Sequence, residues 1–198
     1  MTEISFSTVW RNLLDFVKDV RPHPLPEIFE PQPLKVLPYL LGLDFLLMIP
    51  LLGVVGLTGV EEGEHELINL LDQPLVLFFM AVVLAPIFEE LFFRFPIGRW
   101  WEKFGLHPAD SALARWWQHH FKRIFWVFTI VFAAIHFSNF TTTVPIYLAP
   151  ILVLPQLVLG VILGYIRIGW STRYSMLFHA IHNGIPVTLL LLGGDLAT

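Results

Sequence analysis

Five stretches of the chain are apolar over, or nearly over, the length of a membrane-spanning helix: about Leu37–Gly59, Pro74–Gly98, Ile124–Phe137, Pro145–Ile166 and Ser175–Gly193. A helix needs roughly 20 mostly apolar residues to cross the hydrocarbon core. The third stretch is short on that measure. It extends backwards through "DSALARWWQHHFKRIFW", where Asp110 is placed to cap a long helix whose first turns stand outside the hydrocarbon. Composition agrees, since 14% of residues are charged and 56% hydrophobic, whereas soluble domains carry about 25% charged residues. The expectation is an all-α, polytopic transmembrane bundle of about five spans.

The basic residues set the expected orientation. Arg11, Lys18, Arg21 and Lys35 precede the first span. Arg94, Arg99, Lys103, Arg115, Lys122 and Arg123 lie at the end of the second span or before the third, and Arg167 and Arg173 between the last two. These are all 12 Lys and Arg residues of the chain. Lys and Arg favour cytoplasmic loops. Five spans with the N-terminus in the cytoplasm and the C-terminus outside put every one of them on the cytoplasmic face, and the first outer loop is acidic, "EEGEHE". This fits an integral protein of a prokaryotic plasma membrane.

Ahead of the spans, Val9, Trp10, Leu13, Phe16, Val17 and Val20 recur at helical spacing, with Arg11, Asp15, Lys18 and Asp19 on the other side. That pattern is an amphipathic helix lying at the interface. With the proline-rich linker it makes an N-terminal segment, 1–34, followed by one bundle, 35–198. The N-terminus lacks the apolar core of a cleaved signal peptide. Cysteine is absent, which excludes disulfides, thiolate metal sites and lipidated thiols. A net charge of −4 says little about partners, and the lipid bilayer is expected as one and nucleic acid is not.

Polar groups inside the spans need a reason, because a charge at the bilayer centre costs at least about 2.5–3.5 kcal/mol. Within "PIFEELFFRFPIG" stand Glu89, Glu90 and Arg94. Glu90 and Arg94 are four apart and can pair on one helical face, while Glu89 points about 100° away. The bland alternative is that all three mark the membrane edge, yet Pro96 and Arg99 place that edge later. "FAAIHFSN" carries Phe132, His136 and Asn139, and a lone histidine there would be an ordinary packing residue. "HAIHN" carries His179, His182 and Asn183, and each alone would pass for interhelical glue. Gly160 and Gly164 of "GVILGY" read as a close-packing surface. At 1.5 Å per residue, and with the edge at Arg99, Glu89 lies about 15 Å deep, His136 about 18 Å, His179 about 9 Å and Asn183 about 15 Å. The four fall in one band of depth only if Arg94 lies inside the membrane, paired with Glu90.

The set Glu89-Glu90-x-x-x-Arg94, Phe132-x-x-x-His136 and His179-x-x-x-Asn183 resembles the CAAX protease and bacteriocin-processing (Abi) family of glutamate intramembrane proteases. Each motif is short, but three in order, each on an expected span, are specific. The lead from Gly160 through Gly164 into the last motif is similar as well. The resemblance covers about Pro74 to Gly184. The long segment between the first two motifs departs from the family and bears on the shape of the entrance. The resemblance implies an endopeptidase in which Glu89 is general base on a water held with His136. His179 and Asn183 would stabilise the oxyanion, Glu90 and Arg94 would organise the site, and Phe132 and Asn139 would support it. The implied partner is a peptide or membrane-protein substrate, such as a prenylated tail or a bacteriocin-type peptide, and no cofactor is implied.

Two other readings stay open on the residues alone. Glu89, His136 and His179 or His182 have zinc-ligand chemistry, although the H-E-x-x-H signature is missing. The same intramembrane groups would also suit a proton-coupled transporter, or a non-catalytic scaffold of the same fold.

Overall fold

Apolar helices with few internal polar side chains bury their backbone groups in their own hydrogen bonds, and among its described residues the computed structural model is helical, without strands. It describes residues 4–22, 32–60, 73–98, 111–139 and 144–194. In chain order these form α1 (Phe6–Lys18), α2 (Pro33–Leu57), α3 (Pro74–Arg94), α4 (Ala112–Ile135), α5 (Ala149–Leu152), α6 (Leu154–Gly169) and α7 (Thr172–Gly194). Four helices are long and apolar enough to cross a membrane, and a fifth span results if the bent stretch Ile146–Leu152 plus Leu154–Gly169 is taken as one. The all-α polytopic bundle expected from hydropathy is the observed fold.

The differences have local causes. Ser111, not Asp110, caps α4, accepting from the Ala114 N–H at 3.2 Å; Asp110 lies outside the described residues, as do the acidic loop and most of the proline-rich linker. The fourth span breaks at Val153 with a 44° bend. Pro155 lacks the N–H that would continue the ladder and disfavours helix at the residue before it. The amphipathic α1 is present, capped by Ser5, and its apolar face is covered by protein rather than lipid. Val9, Leu13 and Phe16 are buried, and the Phe16 ring meets Phe125 at 5.4 Å and Tyr165 at 5.3 Å edge-on. Lys122 at the wet end of α4 donates to the last-turn carbonyl of Lys18 at 3.2 Å.

The most enclosed helix is α6, which touches α1, α2, α4 and α7. Its two glycines permit this. A methyl at Gly160 would stand 3.1 Å from the Arg94 guanidinium and 3.1 Å from the Phe132 ring, and one at Gly164 would collide with the Phe125 ring. The outer faces of α2, α3, α4 and α7 carry exposed leucine, isoleucine, valine and phenylalanine, as a lipid-facing surface must.

Candidate active site

The site is set by irregularities in α3. Phe79–Leu84 and Glu90–Arg94 are π-helical turns, a feature common at functional positions. In the first, the Ala85 N–H donates to Met80 O. The next residue, Pro86, has no N–H to give. The carbonyl of Ala81 is thereby left for another donor, and Asn183 Nδ2 on α7 donates to it at 3.0 Å. Backbone irregularity in one span thus fixes a polar side chain of another.

In the second π turn the two glutamates diverge. Glu90 is fully buried. The Ser175 hydroxyl donates to its Oε2, and His179 Nδ1 lies 3.2 Å from its Oε1. Arg94 is also fully buried, with its guanidinium carbon 4.5 Å from the centre of the Phe132 ring. Its three guanidinium nitrogens have no hydrogen-bond partner among the described residues, and the expected ion pair between Glu90 and Arg94 does not form. Two competing arrangements explain this. The backbone between them bonds i to i+5, with Phe95 N–H donating to Glu90 O at 2.8 Å. Glu90 is drawn to α7, and Arg94 to the aromatic face of Phe132. Arg167 of α6 closes the end of this turn, its Nε donating to Arg94 O at 3.0 Å.

Glu89 faces the other way, with a quarter of its side chain exposed. Its Oε2 lies 3.9 Å from His136 Nε2 and 3.7 Å from His179 Nε2. His136 Nδ1 is 2.7 Å from Phe132 O, a carbonyl that can only accept, so Nδ1 carries the proton and a neutral His136 turns its Nε2 lone pair to Glu89. Phe132 lies beneath the site, edge-on to His179 at 6.0 Å and tilted against His136 at 4.9 Å. Asn139 ends the short 3-10 turn that follows His136. A cavity of about 310 Å³ is lined by Glu89, His136, Gln156, His179, His182 and Asn183 among apolar neighbours. Side chains of α3, α6 and α7, with His136 at the end of α4, therefore reach one pocket.

One wall residue, His182, is held from behind by a helix that the motif analysis passed over. Asp44, fully buried in α2, accepts from His182 Nδ1 at 2.5 Å. A single carboxylate inside "LLGLDFLLMI" was the available signal. Ser175 carried none, because a serine in a membrane helix is unremarkable. Among the described residues, no three His, Asp or Glu side chains are arranged to hold a metal ion.

A family model, type II CAAX prenyl endopeptidase Rce1-like, matches residues 71–185. The chain belongs to this family. No curated protein and no solved structure matched it. The Rce1-like match contains every residue of the three motifs and ends just beyond Asn183, while α2, with Asp44, lies before it. Membership makes the protein a CAAX-type intramembrane endopeptidase, a hydrolase of peptide bonds embedded in a bilayer.

Proposed function

We propose that this Rce1-like protein hydrolyses the peptide bond with a water activated by Glu89 and His136, on the prenylated C-terminal tail of a membrane-bound peptide. The observation that carries this reading is the pair of acceptors, Glu89 Oε2 and His136 Nε2, facing each other at 3.9 Å across the cavity. Two acceptors at that separation suit one water between them, donating to both. As its oxygen attacks the amide carbon, Glu89 takes one proton, and the carbonyl oxygen becomes an oxyanion. Preorganised donors in a water-poor site stabilise that charge. Asn183 retains a second N–H beyond the one on Ala81 O. His179, with Nδ1 on Glu90, presents an Nε2–H when its ring is charged. Glu90 and Arg94 hold the floor of the site, Glu90 through His179 and Arg94 through Phe132, with Asn139 ending the turn that carries His136.

Support for a prenylated tail is the family's own description and an apolar groove of about 490 Å³ between α3 and α7. It is lined by Phe78, Val82, Ile181, Gly184 and Leu189, neighbours in sequence of the Ala81 and Asn183 that meet at the site. The distribution of Lys and Arg supports an N-terminus in the cytoplasm, and the membrane we propose is a prokaryotic plasma membrane. The test is the purified protein in lipid discs, given a fluorogenic peptide with a farnesylated cysteine three residues from its C-terminus, with and without chelators. Expected are cleavage after that cysteine, identified by product mass, and full activity under chelation. Loss of activity on chelation, restored by zinc, would replace the metal-free mechanism. Preference for the unprenylated peptide would replace the substrate class with bacteriocin-type peptides, and intact peptide throughout would favour a transporter or scaffold.

A further inference from the structure

Hydrolysis of an amide needs two proton transfers. One leaves the attacking water, and one must reach the departing nitrogen, because an amide anion is too basic to leave unprotonated. Glu89 accounts for the first. A second carboxylate–imidazole couple meets the same cavity through its imidazole and takes no part in the steps above. It is Asp44 on α2 and His182 on α7, with Asp44 Oδ2 2.5 Å from His182 Nδ1.

Three features distinguish this couple from packing. Asp44 has no exposed surface, and its Oδ1 has no hydrogen-bond partner among the described residues, so its interaction with the bundle runs through the imidazole. A fully buried carboxylate is costly without a paired charge or donor. The ring of His182 is clamped by Phe45, stacked on it at 5.6 Å and 18°. With Nδ1 facing the carboxylate, Nε2 is the atom left toward the pocket that His182 lines. The other two cavity imidazoles both turn Nε2 to Glu89, whereas His182 has no such partner among the described residues. His182 and Asn183, the proposed oxyanion donor, line the same cavity, so both can reach a substrate bound there.

We propose that His182, oriented by Asp44, is in its protonated form the general acid of the reaction, and that Asp44 is its positioning residue. In the tetrahedral intermediate the Nε2–H proton passes to the scissile nitrogen. The C–N bond breaks with its electron pair going to that nitrogen, and the amine departs neutral. His182 is left as neutral imidazole. The proton taken from water by Glu89 returns through the wet cavity to His182, so each turnover consumes one water and no other reactant. An acid in contact with the leaving group typically contributes about 10²–10⁴-fold.

The proposal rests on the hydrolytic reading, and its test separates the two. Two substrates share the same farnesyl-cysteinyl acyl group, one a peptide amide and the other a 4-nitrophenyl ester. Nitrophenolate leaves without a proton, so only the amide needs the acid. His182→Gln is expected to slow the amide by roughly 10²-fold or more and to leave the ester near the wild-type rate. Asp44→Asn should lower the amide rate alone, and the double variant D44N/H182Q should be no slower than H182Q. If H182Q fails to fold with Asp44 left unpaired, the neutral couple in D44N/H182Q carries the same ester-to-amide comparison. Equal losses on both substrates would make His182 an oxyanion or substrate contact and overturn the proton-donor role, as would wild-type rates on both. Glu89→Gln must lose both substrates, and a wild-type protein that cleaves neither would remove the hydrolytic reading and this proposal together.

Discussion

Glu89 and Glu90 are adjacent in the chain, yet one opens to the cavity and the other has no exposed surface. Their separation follows from α3, where neighbours point about 100° apart, and from what each meets. Glu90 is sustained by the Ser175 hydroxyl and the His179 ring. Ser175→Ala leaves a buried carboxylate oxygen short of its donor, and we expect it to lower the unfolding free energy by about 1–3 kcal/mol, read by chemical denaturation in detergent. A denaturation midpoint equal to wild type would contradict that contact. Glu89, His136, His179 and Asn183 stood out in the sequence as polar islands within apolar runs, and the resemblance of their three motifs to one family grouped them; the structure brings them to one cavity. The Glu90–Arg94 pair was misread because the i to i+4 rule assumes an α-turn, and the turn is π. Asp44 was missed because its partner, His182, is 138 residues away and no spacing rule connects them.

At the scale of elements, close approach to α6 determines where the site residues sit. Gly160 lets Arg94 and Phe132 come within van der Waals range of the α6 backbone, and Gly164 does the same for Phe125. Phe125 is fully buried, so its ring cannot yield. Gly164→Ala should therefore cost about 1–3 kcal/mol by overpacking and exceed the cost of Gly160→Ala, whose contacts are tighter than ideal but do not overlap. Comparing the thermal midpoints of the two variants checks the order. The π turn of α3 makes a second prediction. Deleting Phe92, which is exposed at 68%, removes the extra residue of the turn and, of the core, only its edge-on contact with the Phe93 ring. It should restore α geometry, swing Glu89 and Glu90 by about 100° relative to Arg94, and abolish cleavage while the helical content by circular dichroism is kept. Span number and helix type were readable from hydropathy. The π turns and the break at Val153 were not, because they arise where prolines remove single hydrogen bonds, and hydropathy does not register those.

For the molecule as a whole, apolar side chains face outward around α2, α3, α4 and α7, and charged ones collect near the ends. The absence of cysteine makes the proposed orientation directly measurable. A single cysteine replacing Lys18 should react with an impermeant maleimide only after cells are opened, and one replacing Thr58 should react in intact cells. The reverse pattern would invert the topology and place the loops rich in Lys and Arg outside. The central claim, that one buried water is activated between α3 and α4 by a carboxylate, is tested most directly by cleavage of the farnesylated peptide by Glu89→Gln beside wild type. An amide side chain preserves the size of the group and cannot take the proton. The account predicts an unchanged unfolding profile with cleavage reduced by about 10²-fold or more, and cleavage by the folded variant at the wild-type rate would contradict it.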